Sequence, residues 1–274
     1  NLVGRDKELS ELASMFSHIE NHNSSCRAVI TGPVGSGKTV LSKRFGHDLL
    51  KHLEGQRKIS YSHVNCRTNP STSQVLQQIA KSLDSGHPER GLSSGEIIQS
   101  IRRNLMTHNN HLLLVLDEVD VLVRRDNFDL IYKLLRIDES QEGQGSLSLI
   151  LVSQDSMLLK LFEPAIISRL GASNVLQLKP YNKKGLIEIA RQRADIACRS
   201  GSISEEILEK IGTIASDSGD ARLAIELLDS SIRKAESAGR GEVLISDIEQ
   251  SSARTASIEP SQVDGLSKDQ KLIM

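Results

Sequence analysis

Tryptophan is absent from this chain of 274 residues, and Phe and Tyr bring the aromatic share to only 3%. Aliphatic side chains must therefore fill the core, which suits a helix-rich α/β protein better than a β-sandwich. Cysteine is scarce too: Cys26, Cys66 and Cys198 are odd in number, far apart and without metal-ligand spacing. That argues against a disulfide framework and for a reducing compartment, with the three read as small buried thiols. No apolar run approaches the roughly 20 residues that a membrane-spanning helix needs, and no signal peptide opens the chain. The expectation is a cytoplasmic protein with no membrane partner. Charge of one sign is lacking as well, since 34 basic residues face 35 acidic ones. Any affinity for nucleic acid would have to come from a local patch. Repeats and low-complexity tracts are missing.

What is present is an alternation. Ala28 to Thr31, Ile59 to Asn65, Leu112 to Leu116, Leu147 to Ser153 and Val175 to Leu178 read as strands, and helical patterns bracket four of them. That implies a parallel sheet with crossover helices. Ser71 with Gln74 and Ser93 with Glu96 form capping boxes ahead of two of those helices. After Pro180 the pattern is helical only. Helices are predicted from Asn182 to Ala197, from near Ser204, from Asp220 with an apolar stripe of Leu223, Leu227, Ile232 and Ala235, and from a Ser246–Glu249 capping box. Four such helices form a small bundle. The expected domains are residues 1–178, an α/β sheet domain, and 179–258, an all-α domain, followed by a linker over 259–274.

Between the first strand and the next helix lies Gly32-Pro33-Val34-Gly35-Ser36-Gly37-Lys38-Thr39, a full P-loop pattern, followed by Val40. Glycines let backbone N–H groups approach phosphates, and the helix N-terminus adds its positive end. Lys38 would reach the β- and γ-phosphates of ATP, and the Thr39 hydroxyl would ligate Mg2+. The strand at Leu112 to Leu116 ends in Asp117-Glu118. A strand buried on both faces presents acids only at its carboxyl edge. There Asp117 would hold the metal through water, and Glu118 would orient or deprotonate the attacking water. An acid at Glu118 suits hydrolysis to ADP and phosphate, because a base is supplied in place. Asp120 reads as structural or helix-capping.

The order P-loop, Asp117-Glu118, Ser153-Gln154, Ser168-Arg169 and Gly219-Asp220-Ala221-Arg222 resembles an AAA+ ATPase with its helical lid. Asn1-Leu-Val-Gly-Arg5-Asp6, Val64-Asn-Cys-Arg67, Pro88-Glu-Arg-Gly91, Leu116-Asp-Glu-Val-Asp-Val-Leu122 and Lys179-Pro-Tyr181 narrow the resemblance. Together they look like the archaeal origin-recognition and cell-division-control initiator family. The resemblance implies a P-loop AAA+ parallel-sheet domain followed by a helical lid. It implies that Val3, Gly4, Arg5 and Tyr181 flank adenine, that Gln154 takes the sensor-one position, and that Arg222 reaches the nucleotide from the lid. Family members usually carry Asn where Gln154 stands, so slow hydrolysis is expected. Arg169 matches an arginine finger acting on a neighbouring subunit.

Further implications concern partners. They are origin duplex DNA, the replicative MCM helicase, and identical or paralogous AAA+ subunits in a nucleoid-associated setting. The stretch Thr68 to Gly95 sits where the family carries a helical insertion that contacts DNA, with Arg67, Lys81, His87 and Arg90 as basic candidates. Members usually continue into a winged-helix DNA-binding domain, which residues 259–274 would lead toward and which is expected to be absent from these 274 residues. The implied role is an ATP-dependent replication initiator. A clamp-loader-like remodelling subunit and a non-catalytic, ADP-holding switch are the alternatives.

Overall fold

A computed structural model describes residues 2–22, 24–125, 128–137, 147–171, 173–199 and 201–248. They gather into two compact units, one over Leu2–Lys179 and one that begins at Pro180.

In the first unit, α1 (Asp6–Phe16) and the short α2 (His18–His22) precede β1 (Arg27–Thr31). Helix α3 (Lys38–His52) leads to β2 (Ile59–Asn65). Two helices, α4 (Thr72–Leu83) and α5 (Ser94–Thr107), cross to β3 (His111–Asp117). Short α6 (Asp120–Val123) and α7 (Phe128–Leu135) lead on to β4 (Leu147–Ser153). Then α8 (Leu158–Leu161) and α9 (Pro164–Leu170) return the chain to β5 (Val175–Gln177). The strands form one parallel sheet in the order β2-β3-β4-β1-β5. Strand β4 therefore separates the strand that enters the P-loop from the strand that ends in Asp117.

Every residue of β3 and β4 is buried, which is why both read as largely apolar runs. Side chains alternate between the two faces. Leu112, Leu114 and Leu116 enter the cluster built with α4, α5, α7 and α9, whereas Leu113 and Val115 enter the cluster built with α1 and α3. The same period puts Asp117 on the α3 face. Strand β3 starts one residue before its apolar run because buried His111 is satisfied: its Nε2 lies 2.8 Å from Ser148 Oγ. Both predicted capping boxes close, with Ser71 capping α4 and Ser93 capping α5. Each is worth about 1 kcal/mol to its helix.

The second unit contains α10 (Lys183–Ala197), α11 (Glu205–Ser216) and α12 (Ala221–Ser237), N-capped by the side chains of Asn182, Ser204 and Asp220. The buried face of α12 differs from the predicted stripe. It runs through Ala224, Leu227, Leu228, Ser231 and Ala235, while Leu223 and Ile232 are only half-buried. Ser231 hides its hydroxyl by donating to Leu227 O at 2.6 Å, so a polar residue joins an apolar face. A further helical turn covers residues 245–248, so Ser246 lies inside the helix and does not cap it. The Asp247 carboxylate instead accepts the Leu244 N–H at 2.9 Å. Glu249 and the predicted linker over 259–274 lie outside the described residues.

Candidate nucleotide site

Strand β1 ends at Thr31 and the chain turns at once through the glycine-rich loop. Gly32 has φ 150°, and a Cβ there would meet the Leu178 carbonyl oxygen at 2.6 Å, a backbone atom that cannot step aside. Gly37, at φ 90°, is the N-cap of α3 and provides no side-chain cap. The first-turn N–H groups of α3 are thus left to an anionic ligand at the positive end of a 15-residue helix. Around the loop Pro33, Val34 and Val40 are exposed, Gly35 is half-buried, and Ser36 is buried with its hydroxyl donating to Pro33 O. Lys38 is buried as well, and its Nζ donates to Gly32 O and Pro33 O, each at 2.7 Å.

Arg5 braces this loop from the N-terminal arm. Its guanidinium donates to Ser36 O at 3.0 Å, to Lys179 O at 2.5 Å and to Glu8 at 2.7 Å. Beside it Val3 is half-buried and Gly4 is exposed.

The carboxyl ends of β2 and β3 meet the loop. Thr39 Oγ1 donates to Asp117 Oδ2 at 2.8 Å. His63 Nε2 lies 3.2 Å from the same oxygen, and Tyr61 Oη lies 3.2 Å from His63 Nδ1. Burial alone would raise the Asp117 pKa, but hydrogen bonds from His63 and Thr39 and the nearby imidazole outweigh it. The carboxyl is held below its usual range and stays anionic. Glu118 occupies the left-handed region at φ 54°, unusual for a residue with a side chain. Its Oε2 receives Asn65 Nδ2 at 3.4 Å and lies 3.1 Å from Arg67 Nε. The register explains the meeting, since Asn65 pairs with Asp117 across β2 and β3.

A hydroxyl and a carboxylate in contact are the hard oxygen donors that suit magnesium, which takes one or two protein oxygens and fills its octahedron with phosphate and water. Among the described residues no group of three or more His, Cys, Asp or Glu could enclose a metal by itself. The residues present therefore fit a magnesium ion carried with a nucleotide.

Of the two roles expected of Asp120 the structural one holds, for Val119 and not Asp120 is the N-cap of α6. Its carboxylate accepts the Ser153 hydroxyl and the Gln154 N–H, the latter at 3.2 Å. It ties the end of β4 to the turn after β3 and so sets where Gln154 begins. Arg169 lies elsewhere in this unit, with its guanidinium 5.3 Å from the centroid of Tyr132 and Nη1 bonded to Ala165 O. In the second unit Tyr181 is buried in the helical core, and Arg222 is exposed on the first turn of α12.

The basic candidates for a DNA contact thin out. His87 is 6% exposed and so cannot serve as a surface contact. Lys81 pairs with Glu89 at 2.6 Å, Arg67 pairs with Glu118, and Arg90 is exposed. Cys26 and Cys66 are buried free thiols as expected, while Cys198 is partly exposed. No helix among the described residues is long and apolar enough to cross a membrane.

Residues 24–162, just over half of the chain, match the family described as an AAA domain. The chain belongs to that family. Residues 187–253 match the Cdc6 AAA+ ATPase-type lid domain. The chain is similar to ORC1-type DNA replication protein 1 of Sulfolobus acidocaldarius, 29% identical over 90% of this chain and 62% of the relative. It is also similar to ORC1-type DNA replication protein 2 of Sulfurisphaera tokodaii, 32% identical over 87% of this chain and 59% of that protein. The chain thus spans about three fifths of the length of these curated relatives. A solved structure of the Aeropyrum pernix ORC1 protein in complex with DNA superimposes with a TM-score of 0.83 at 26% identity, covering 93% of this chain and 66% of that one. The architecture is an AAA+ parallel-sheet domain followed by a Cdc6-type lid domain.

Three members of the site escaped the sequence reading: Tyr61, His63 and Asn65. Their signal was present as ring-bearing or polar residues at every second position of one strand, which places them on one face. Which face, and against what, depends on the pairing of β2 with β3.

Proposed function

We propose that this chain binds ATP with magnesium at the P-loop and hydrolyses it to ADP and phosphate, as the nucleotide-responsive part of a DNA replication initiator. The observation that carries the reading is the hydrogen bond between Thr39 and Asp117 beside Lys38 and Glu118, at the carboxyl ends of β1 and β3. The ATPase half rests on that geometry, and the initiator half rests on the likeness to ORC1-type replication proteins.

In this mechanism the open N–H groups of α3 and the Lys38 ammonium hold the β- and γ-phosphates. Thr39 and Asp117 hold the metal; magnesium, when bound, neutralises charge on the phosphate oxygens. Glu118 takes a proton from the attacking water as its oxygen bonds to the γ-phosphorus and the bond to ADP breaks. Gln154 reaches the γ-phosphate or the water with its amide from a longer stem than Asn, which supports slow turnover. Val3, Gly4 and Arg5, and Tyr181 and Arg222 from the lid, are assigned to the nucleotide by family resemblance. On the same basis Arg169 is assigned to a neighbouring subunit's nucleotide. Origin duplex, a replicative helicase and further AAA+ subunits are the proposed partners, with Arg90 as the exposed basic residue of the 68–95 stretch.

A second reading is a switch that holds nucleotide without turnover. It is favoured by the Glu118 carboxylate lying against Asn65 and Arg67.

The deciding experiment identifies any co-purified nucleotide and then measures ATP turnover by wild type and Glu118→Gln, with and without duplex DNA. Tight ADP with slow, Glu118-dependent turnover that shifts on DNA supports the initiator. Turnover at background at high protein concentration supports the switch. Absence of nucleotide binding removes both.

A further inference from the structure

A closed circuit of contacts joins the P-loop helix to the metal-binding carboxylate through β2. It starts at Gly46 on α3, where a Cβ would stand 2.4 Å from Tyr61 Cε2 and 2.8 Å from Tyr61 Cδ2 and Cζ. The absent methyl is what lets the Tyr61 ring lie against the third turn of α3. From there Tyr61 Oη reaches His63 Nδ1 at 3.2 Å, and His63 Nε2 reaches Asp117 Oδ2 at 3.2 Å. Asp117 Oδ2 receives the Thr39 hydroxyl at 2.8 Å, and Thr39 lies two turns back along the same helix. Residues 61 and 63 share a face of β2 because strand side chains repeat every second residue.

The chemistry of the chain of bonds is directional. In a neutral imidazole one nitrogen donates and the other accepts. Whatever else the ring does, Nε2 is the nitrogen that faces the Asp117 carboxylate, and Nδ1 faces the Tyr61 hydroxyl at 3.2 Å. Burial, with the Asp117 charge adding to it, pushes the Tyr61 pKa up to about 12, so that hydroxyl keeps its proton and donates. Asp117 itself is 2% exposed, so these bonds substitute for water in fixing which way its carboxylate faces.

We propose that Tyr61 and His63 are positioning residues for magnesium: Tyr61, seated on Gly46, holds the His63 ring in place, and His63 fixes the Asp117 carboxylate that holds the ion. This rests on the reading of the P-loop as a magnesium-nucleotide site. Partners of this kind behind a metal ligand typically change metal affinity about 10–100-fold when removed.

The test is equilibrium binding of a fluorescent ATP analogue, titrated with MgCl2 and, separately, in EDTA. His63→Phe is expected to raise the half-saturating magnesium concentration about 10-fold or more while leaving affinity in EDTA unchanged. His63→Gln, whose amide nitrogen can stand near the place of Nε2, is expected to restore most of the difference. Tyr61→Phe and Gly46→Ala are expected to shift magnesium dependence in the same direction by less. Ordinarily Gly→Ala inside a helix is favourable, so loss of magnesium affinity in Gly46→Ala would report the displaced ring. If wild type responds to magnesium and His63→Phe responds identically, the positioning role is wrong and the nucleotide site stands. If His63→Phe weakens binding equally in magnesium and in EDTA, the residue is structural and the proposal fails. If wild type binds no nucleotide under either condition, the reading of the site falls and takes this proposal with it.

Discussion

Arg67 Nε lies 3.1 Å from Glu118 Oε2, on a guanidinium that is 69% exposed and a carboxylate that is 19% exposed. The side chain proposed to activate water is thus held by a partner that solvent, or an anion, can reach. An exposed ion pair of this kind contributes up to about 1 kcal/mol, equivalent to a factor of about five. Arg67→Ala is therefore expected to raise kcat by up to about five-fold with KM little changed, read by steady-state phosphate release. A fall in kcat would show that Arg67 aids the chemistry.

Asp120 accepts hydrogen bonds from Ser153 and Gln154, which join two strand ends that carry the site. Asp120→Ala leaves the Gln154 N–H without its acceptor, while the Ser153 hydroxyl keeps Asp155 O at 3.2 Å, and is expected to cost about 1–3 kcal/mol of stability. Turnover should fall further than nucleotide binding does, because the Gln154 backbone is released while the P-loop is untouched. Thermal denaturation and single-turnover hydrolysis check the two parts. Gln154→Asn in the wild-type background should move turnover upward if the longer amide stem is what slows it.

Arg169 and Glu118 are proposed to serve different nucleotides, one across a subunit boundary and one within the chain. Arg169→Ala and Glu118→Gln should each be nearly inactive alone. A mixture at high concentration should recover a measurable fraction of wild-type turnover, because some pairs join an intact Arg169 to an intact Glu118. An arginine of this type adds about 10³–10⁵ in rate, so recovery would stand well above background. Mixtures that stay silent would assign Arg169 to its own chain, where it stacks on Tyr132.

Gly219 has φ 64°, and a Cβ there would sit 2.4 Å from Pro180 Cβ and 3.0 Å from Tyr181 O. Its carbonyl also accepts the Tyr181 N–H at 3.0 Å. Gly219→Ala combines left-handed strain of about 1–2 kcal/mol with a contact that the proline ring cannot relieve. The helical unit should lose about 2 kcal/mol or more, seen as a lower denaturant midpoint of the lid unit.

The Asp247 carboxyl is held below its usual range, chiefly by hydrogen bonds from Arg240, with burial opposing and the Leu244 N–H assisting. A carboxyl depressed on folding stabilises the fold above its unfolded value, near 3.9, and loses that contribution as pH falls through the lower folded value. Acid unfolding of the second unit should therefore include a component below about pH 4. Asp247→Asn should remove it and flatten the acid limb, as followed by circular dichroism from pH 6 downward.

Much of this molecule was legible because its elements carry independent signals. Strands β1, β3 and β4 are buried on both faces and so are mostly apolar, and the capping boxes at Ser71 and Ser93 are local chemistry that tertiary packing had no cause to override. The P-loop is legible for the same reason: Gly32 and Gly37 answer to backbone geometry. What escaped depends on neighbours in space. Nothing near His63 in the sequence points to Asp117, which is 54 residues away. Ser231 is missing from the predicted stripe because its bond to Leu227 O is invisible to a hydrophobicity count. His87 looked like surface charge until α5 supplied Ser100, whose hydroxyl lies 3.4 Å from its Nδ1.

The left-handed backbone at Glu118 sets selection for robustness against selection for work. An L-residue with a side chain holds this conformation at a cost of about 1–2 kcal/mol, which Gly or Asn would largely avoid. A screen that rewarded only heat resistance should therefore drift to Gly or Asn at this position. On the proposed reading of Glu118, it would yield sturdier proteins that bind nucleotide and do not turn it over. The glutamate that stands there is the costlier residue for the backbone, and it is the one that the proposed chemistry uses.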